Sequence, residues 1–356
     1  MSDYDRLAQL PLKVEGYSLS AHDRDYGDFT RPSTVIHLYG EGQEGIGEDV
    51  VYSLDDHVAH REAGTPLDLT GPRTLGEFCE LIGELDLFPE PPEYEAGTYY
   101  RRWAYESAAL DLALRQNGLA LHEALGRDPK PVRFVCSTRL SSFGDDAPST
   151  TEPIRKRLAK YPDLEFKLDP ENDWDAELVA EIAELAPVRV LDLKGQYKGT
   201  PVDVETDPEL YRRVAEAFPD AYLEDPDLSD ATRAVLEPHA ERITWDAPLH
   251  SVADIVERAP KRAINSKPSR FGSLRELFAV YEHCEREGLA VYGGGQGEVH
   301  CGRGQIQYLA SLYHPDTPND IAPSGYNDPS VPDGLERSPL EPTPSATGFR
   351  WGRFAD

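Results

Sequence analysis

Residues 188–194 read VRVLDLK, an apolar run ending in an aspartate, and the pattern recurs as AYLED (221–225) and RITWD (242–246). Short apolar runs of this kind have the form of strands buried on both faces of a parallel sheet. Asp192, Glu224 and Asp246 each stand where such a strand ends. In a barrel of parallel strands those ends converge on one face, so acids on three successive strands can meet around one cation. All-oxygen ligands favour a hard ion, Mg²⁺ or Mn²⁺, over zinc. One acid at a strand end is more often a helix cap or an arginine's partner. Three in succession with lysines on either side favour the metal site. Those lysines are Lys267 in INSKPSRFG (264–272), which closes the next strand, and Lys167 in LEFKLD (164–169) on the preceding one. Period-two alternation puts Lys167 and Asp169 on the same face.

Outward from this core, strand-like and helix-like runs alternate from residue 130, with helices such as DAELVAEIAELA (175–186) between the strands. Seven strands are readable, and the eighth, near DIAP (320–323), is weak. Such alternation implies a parallel sheet with right-handed crossovers. The fold expected is an α/β barrel of the TIM-like (β/α)7-8 kind over residues 130–327. Residues 1–129 are expected to form an α+β capping domain, and residues 328–356, rich in Pro, Ser and Gly, an irregular segment packed back on it. The helix over 98–117 places Trp103, Leu110 and Leu114 on one apolar side and closes at Gly118. GEGQEG (40–45) matches a dinucleotide fingerprint, but IGEDVVY follows, a strand where that motif needs a helix. Its glycines suit a hairpin turn.

The order Lys167/Asp169, Asp192, Glu224, Asp246, Lys267 resembles the enolase superfamily, in its muconate-lactonizing and mandelate-racemase-like branches. The resemblance spans nearly the whole chain. RPSTVIHLYGEGQEGIGEDVVY (31–52) is similar to the opening of the family's capping domain, and RRWAYESAALDLALRQNGLALHEALGRDPKPVRFVCSTRL (101–140) to its Ala-rich helix and first barrel strand. YGGGQGEVHCGRGQIQYLASLYHP (292–315) is similar to the strand-seven region, with Glu298 at the family's glutamate. The resemblance implies Mg²⁺ on Asp192, Glu224 and Asp246, and lysines ending strands two and six that face each other across a carboxylate substrate. Lys267 is then the principal base and Lys167 a holder of the substrate carboxylate.

The chain departs from that family at strand two, where Lys167-Leu168-Asp169 replaces Lys-x-Lys. Asp169 stands in the place of the second acid/base. Asp169 itself, or Lys194, two residues past Asp192 where Asn is common, can be considered for that face; a salt bridge between the two is the plain alternative. Glu298 is expected either to bind substrate or to brace Lys267. Arg139, past the first strand, and His22, Arg24, Tyr26 and Arg31 in the loop SAHDRDYGDFTR (20–31) are the other substrate-contact candidates. Asp320-Ile321-Ala322 lacks the second Asp of the dipeptide epimerases. A lyase or isomerase that takes the α-proton of a carboxylate through a metal-stabilised enolate, of cycloisomerase or acid-dehydratase type, needs one good base and fits this pattern. An epimerase or racemase using Lys194, and a metal-binding barrel without turnover, are the alternatives.

Composition sets the outer limits. With 36 Lys and Arg against 65 Asp and Glu, the net charge is −29, which speaks against a nucleic-acid surface. An acidic surface with little lysine fits salt adaptation. There is no signal-like start and no 18-residue apolar run. A cytoplasmic homo-oligomer with a small-molecule partner and no membrane is expected. Cys79, Cys136, Cys284 and Cys301 form no CxxC pair and are expected to be reduced packing residues.

Overall fold

The computed structural model of the chain describes residues 1–27, 29–141, 147–200 and 202–355. Barrel strands one to five are Cys136–Thr138, Phe166–Leu168, Val188–Asp192, Tyr222–Glu224 and Ile243–Thr244, and they pair in parallel in the order five-four-three-two-one. Strands six (Ala263–Ser266) and seven (Ala290–Gly293) form a second parallel pair. Single backbone bonds join the two pieces into a ring. Asn265 N–H donates to the Trp245 carbonyl at 3.0 Å, Asp320 N–H to Gly293 at 2.8 Å, and Val135 N–H to Asn319 at 2.8 Å. Asn319–Asp320 therefore does the work of strand eight, with one parallel bridge to Phe134. Pro318 and Pro323 bracket this segment and supply no N–H, so a longer ladder cannot form.

The turns that follow the strands end on residues that start helices. Asp175, Asp207, Ser229, Ser251 and Ser273 each accept a backbone N–H from the first turn of the helix they precede. These caps satisfy amides that the helix leaves unpaired. The βα turns thus fix where each strand stops and aim its last side chains at a common face.

The capping domain builds a three-stranded antiparallel sheet from Gly16–Ala21, Thr34–Gly40 and Gln43–Asp49, in that order, against the helix Gly97–Gln116. The GEGQEG run is a hairpin: Glu41 and Gly42 both take positive φ, 53° and 73°, as a tight two-residue turn between twisted strands requires. A Cβ on Gly45 would lie 2.2 Å from the Ala108 carbonyl, and one on Gly47 2.0 Å from that of Ala104. Close approach of helix to sheet accounts for those glycines.

The C-terminal segment runs back across both domains. Leu340 exchanges backbone hydrogen bonds with Val132, Gly348 N–H donates to Leu119, and Phe349 and Trp351 enter the core of the capping helix. Arg350 donates to buried Asp111 at 2.8 Å and to the Glu44 carbonyl at 2.6 Å. The four cysteines are free and buried. Among the described residues no helix is long and apolar enough to cross a membrane.

Asp111 is fully buried and Arg350 is its ion-pair partner. Arg350→Ala should therefore leave an uncompensated buried charge and cost about 3–5 kcal/mol in urea denaturation. A loss below about 1 kcal/mol would mean that the tail adds little to the capping domain.

Candidate active site

The barrel interior is layered, and its sequence alternation decides what faces inward. Asp192 and Glu224 are lateral neighbours in the ladder, and Thr244 lies beside Glu224. Two residues further on, Asp246 points the same way as Thr244, as Lys267 does beyond Asn265. The register sets Asp192, Glu224 and Thr244 in one row, Lys167 lower at the level of Val190, and Asn265 beside Tyr292, with Asp246 and Lys267 two positions beyond Thr244 and Asn265. All eight side chains are buried. Parallel strands one residue in register therefore bring together five charged groups drawn from five different segments of the chain.

Each acid has cationic or donor partners. Lys167 Nζ bonds Glu224 Oε1 and lies 3.3 Å from Asp192 Oδ2 and 3.7 Å from Asp320. Glu224 Oε2 accepts from Asn265 Nδ2 at 2.9 Å and from the Tyr292 hydroxyl. Lys194 wraps Asp192, its ammonium 2.6 Å from Oδ2 and its backbone N–H 3.2 Å from Oδ1. Asp246 Oδ2 meets Lys267 Nζ at 2.7 Å and the Tyr197 hydroxyl at 3.1 Å, while Oδ1 lies 3.2 Å from Arg270 Nε. Asp225, beside Glu224, accepts the backbone N–H groups of Asp246 and Ala247 at 2.8 and 2.9 Å and so fixes the turn that carries Asp246. Lys194 and Asp225 hold left-handed backbone, φ 55° and 51°. Such conformations cost roughly 1 kcal/mol or more for non-glycine residues and cluster at functional sites.

These charges do not balance. Asp169, Asp192, Glu224, Asp225, Asp246 and Asp320 face Lys167, Lys194, Lys267 and Arg270, six carboxyls against four cations. The excess appears in the proton affinities. Burial pushes Glu224 up to about 7, with Lys167 opposing and Asp192 and Asp246 adding. Burial, then Asp246, raises Asp225 well above the carboxylate range. Burial also raises Asp169, against the pull of Lys194. Burial works the same way on Asp192, but Lys194 and Lys167 outweigh it and hold that carboxyl low. At Asp246, Arg270 and Lys267 overcome burial in the same sense. Burial would lower Lys267, yet the Asp246 carboxylate outweighs it and raises the ammonium.

A divalent cation fits this donor set in chemistry and in charge. The ligands expected are carboxylate oxygens on adjacent strand ends, the excess is two negative charges, and Asp246 Oδ1 and Asn265 Oδ1 are buried without a hydrogen-bond partner. The spacing is a different matter: among the described residues, no three His, Cys, Asp or Glu side chains enclose a metal position. The chain's own ammonium groups lie between Asp192 and Glu224 and against Asp246.

Seven of the site residues expected from sequence, Lys167, Asp169, Asp192, Lys194, Glu224, Asp246 and Lys267, lie together, and Arg139 is near enough to act on the Asp169 carboxyl. Glu298 accepts from Gln296 N–H at 2.8 Å and pairs with Arg303 at 3.4 Å. Gly294 abuts Lys267, since a Cβ there would lie 2.8 Å from Lys267 Cε. Arg139 bonds Ser141 at 2.9 Å and Glu171. His22 packs on His300 in a tilted pair, ring centroids 4.0 Å apart, and Arg24 bonds Asp328 at 2.9 Å with its guanidinium 5.0 Å from the Tyr26 ring. The capping loop is thereby fastened to the segments after strands seven and eight. Arg31 is no exposed contact. It is buried, and it donates to the carbonyls of Pro32, Val50, Val51 and Gln296, clasping the strand-seven loop to the cap.

Residues not anticipated in the site are Tyr197, Asp225, Asn265, Arg270, Tyr292 and the placement of Asp320. Asn265 shares the face of Lys267 by alternation, and Arg270 follows Lys267 by one turn of the helix Pro268–Phe271; both spacings carried a usable signal. Tyr197 sits in an irregular loop with no periodicity to read.

The chain resembles known proteins over most of its length. Residues 5–124 and 128–328 match the models of the N-terminal and C-terminal domains of a domain-of-unknown-function family, DUF8230. The chain is 26% identical over 359 residues to an N-succinylamino acid racemase of Thermus thermophilus, covering 97% of this chain and 92% of that protein. It is 30% identical over 227 residues to an o-succinylbenzoate synthase of Bacillus subtilis, covering 62% and 58%. A putative mandelate racemase/muconate-lactonizing enzyme from Roseovarius nubinhibens, solved with magnesium, superposes with a TM-score of 0.64 at 16% identity over 96% and 97% of the two chains.

The raised Glu224 predicts a pH dependence of stability. A carboxyl with a higher pKa folded than unfolded gives stability that is full below about 4.5 and is lost as pH rises towards about 7. In metal-free protein, Glu224→Gln should flatten the fall of melting temperature across that window; equal slopes for variant and parent would place the excess proton elsewhere.

Proposed function

The chain belongs to the DUF8230 family and, by fold and relatives, to the enolase superfamily, and on that premise we propose a Mg²⁺-dependent lyase or isomerase. It would remove the α-proton of a carboxylate substrate, with Lys267 as the base. One observation carries the reading. Lys267 and Lys167 flank buried Asp192, Glu224 and Asp246 at the ends of adjacent barrel strands.

The α-proton of a carboxylate is very weakly acidic, because its loss leaves a second negative charge on the substrate. A divalent ion held by Asp192, Glu224 and Asp246, Mg²⁺ or by the same chemistry Mn²⁺, would offset that developing charge. Lys167, at the floor of the site, supplies a fixed positive charge for the substrate carboxylate. Lys267 must be neutral to accept a proton, against an ordinary lysine pKa of about 10.4. Asp246 is what raises it here; burial, Lys167 and Arg270 all push it down. Glu224 raises it as well, so those three influences prevail once Asp246 and Glu224 are both engaged elsewhere. The Gly294 backbone lies against the Lys267 stem and limits its swing.

Asp169 in place of a second lysine favours one-sided chemistry, as in cycloisomerisation or dehydration. The similarity to an o-succinylbenzoate synthase supports this choice. A racemase with Lys194 as second base is the alternative, favoured by the similarity to an N-succinylamino acid racemase, whereas the 3.4 Å ion pair of Lys194 with Asp169 speaks for the first reading. Deuterium entering the α-position from one face supports the first, and entry from both faces the second.

Lys267→Ala should lower α-proton exchange at least ~10³-fold while leaving Mg²⁺ affinity within about threefold, because the residue transfers a proton and is not a ligand. Exchange at the parent rate would remove Lys267 from the chemistry.

A further inference from the structure

Lys194 is the one site cation held by strained backbone. Its left-handed φ of 55° turns both its N–H and its side chain back on Asp192, two residues earlier. A following residue with a side chain could not sustain this turn, since a Cβ on Gly195 would lie 2.1 Å from the Asp227 nitrogen. The ammonium, 2.6 Å from Asp192 Oδ2, occupies an edge that the carboxylate would need for a metal. It also lies 3.4 Å from Asp169 Oδ2. Asp169 Oδ1, meanwhile, is buried with no hydrogen-bond partner. Lys194 thus has two carboxylates in reach, one fully engaged and one with an unfilled acceptor.

We propose that Lys194 is a tethered counter-ion, which fills the cation position at Asp192 in the metal-free protein and moves onto Asp169 when a divalent cation binds. The inference rests on the assignment of Asp192, Glu224 and Asp246 as ligands. Two cations on one buried carboxylate repel each other, and the singly charged ammonium has Asp169 to go to. Its path is short, because it already lies between its two acceptors. The exchange gives the aspartate at position 169 a role as receiver of the ammonium. It also makes the ammonium's arrival on the strand-two side contingent on metal, so that the second cation of the site is delivered only to a loaded enzyme. Affinity for the metal then depends on two residues that do not bind it.

Isothermal titration of the metal-free protein with Mg²⁺ tests this. Lys194→Met should bind Mg²⁺ at least ~10-fold more tightly than the parent. Asp169→Asn should weaken binding, and by a larger factor when Lys194 is present than in the Lys194→Met background, since part of its effect acts through the displaced ammonium. Asp192→Asn should abolish binding in both backgrounds. If Lys194→Met binds no more tightly while Asp192→Asn still abolishes binding, the tethered counter-ion is wrong and the metal assignment stands. If neither parent nor Lys194→Met binds Mg²⁺, the metal assignment fails and takes this inference with it. Should Lys194→Met not fold, a crystal structure of the parent grown with Mg²⁺ decides: Nζ bonded to Asp169 and clear of Asp192 supports the exchange, and Nζ still on Asp192 overturns it.

Discussion

A carboxylate taken out of water must be paired, and this barrel buries Asp192, Glu224 and Asp246 side by side. An uncompensated ion in a protein interior costs several kcal/mol, so the surrounding sequence has to supply positive charge. Lys167, Lys194, Lys267 and Arg270 do so, from strand two, the loop after strand three, the end of strand six and the short helix beyond it. Four cations are still too few for six carboxyls. That imbalance links the architecture to its chemistry: it raises the proton affinity of Glu224 and Asp225, and a divalent ion that displaces two protons would match the two charges in excess.

The rest of the fold keeps water away from this deficit. Arg31 ties the glycine-rich strand-seven loop to the carbonyls of the capping domain, while the hydroxyls of Tyr52 and Tyr100 engage the Gln296 side chain at 2.8 and 3.2 Å. Arg24 fastens the capping loop to Asp328, beyond the eighth barrel position. The C-terminal segment returns through Leu340 and Arg350 to bind barrel and cap together. A low-dielectric site strengthens every interaction a developing charge will meet. The clasps would therefore assist the proposed chemistry from outside the charged cluster.

Much of this was legible in the chain. Asp192, Glu224, Asp246 and Lys267 could be placed because each follows a short apolar run, and a buried parallel strand leaves little choice about which way its last side chain points. Lys167 followed from alternation. The eighth strand was weak in sequence because prolines reduce it to a single bridge, and its hydrogen bonds come from strands one and seven, far away in the chain. Arg31 read as a substrate-contact candidate because one of the carbonyls that engage it, that of Gln296, is 265 positions distant. The crowding of Asp192 by Lys194 depends on a left-handed turn that no side-chain pattern announces. Local patterns give direction; they do not give the counter-charges that arrive from other segments.

The central claim is that this site draws a proton from the carbon next to a carboxylate with the help of a divalent ion. Incubating the parent protein in deuterium oxide with a set of N-acyl amino acids and other α-substituted carboxylates, with and without Mg²⁺, addresses it most directly. Mass spectrometry should find deuterium at the α-carbon of at least one of them, only when Mg²⁺ is present. Exchange that proceeds equally after the divalent ion is chelated would contradict the account.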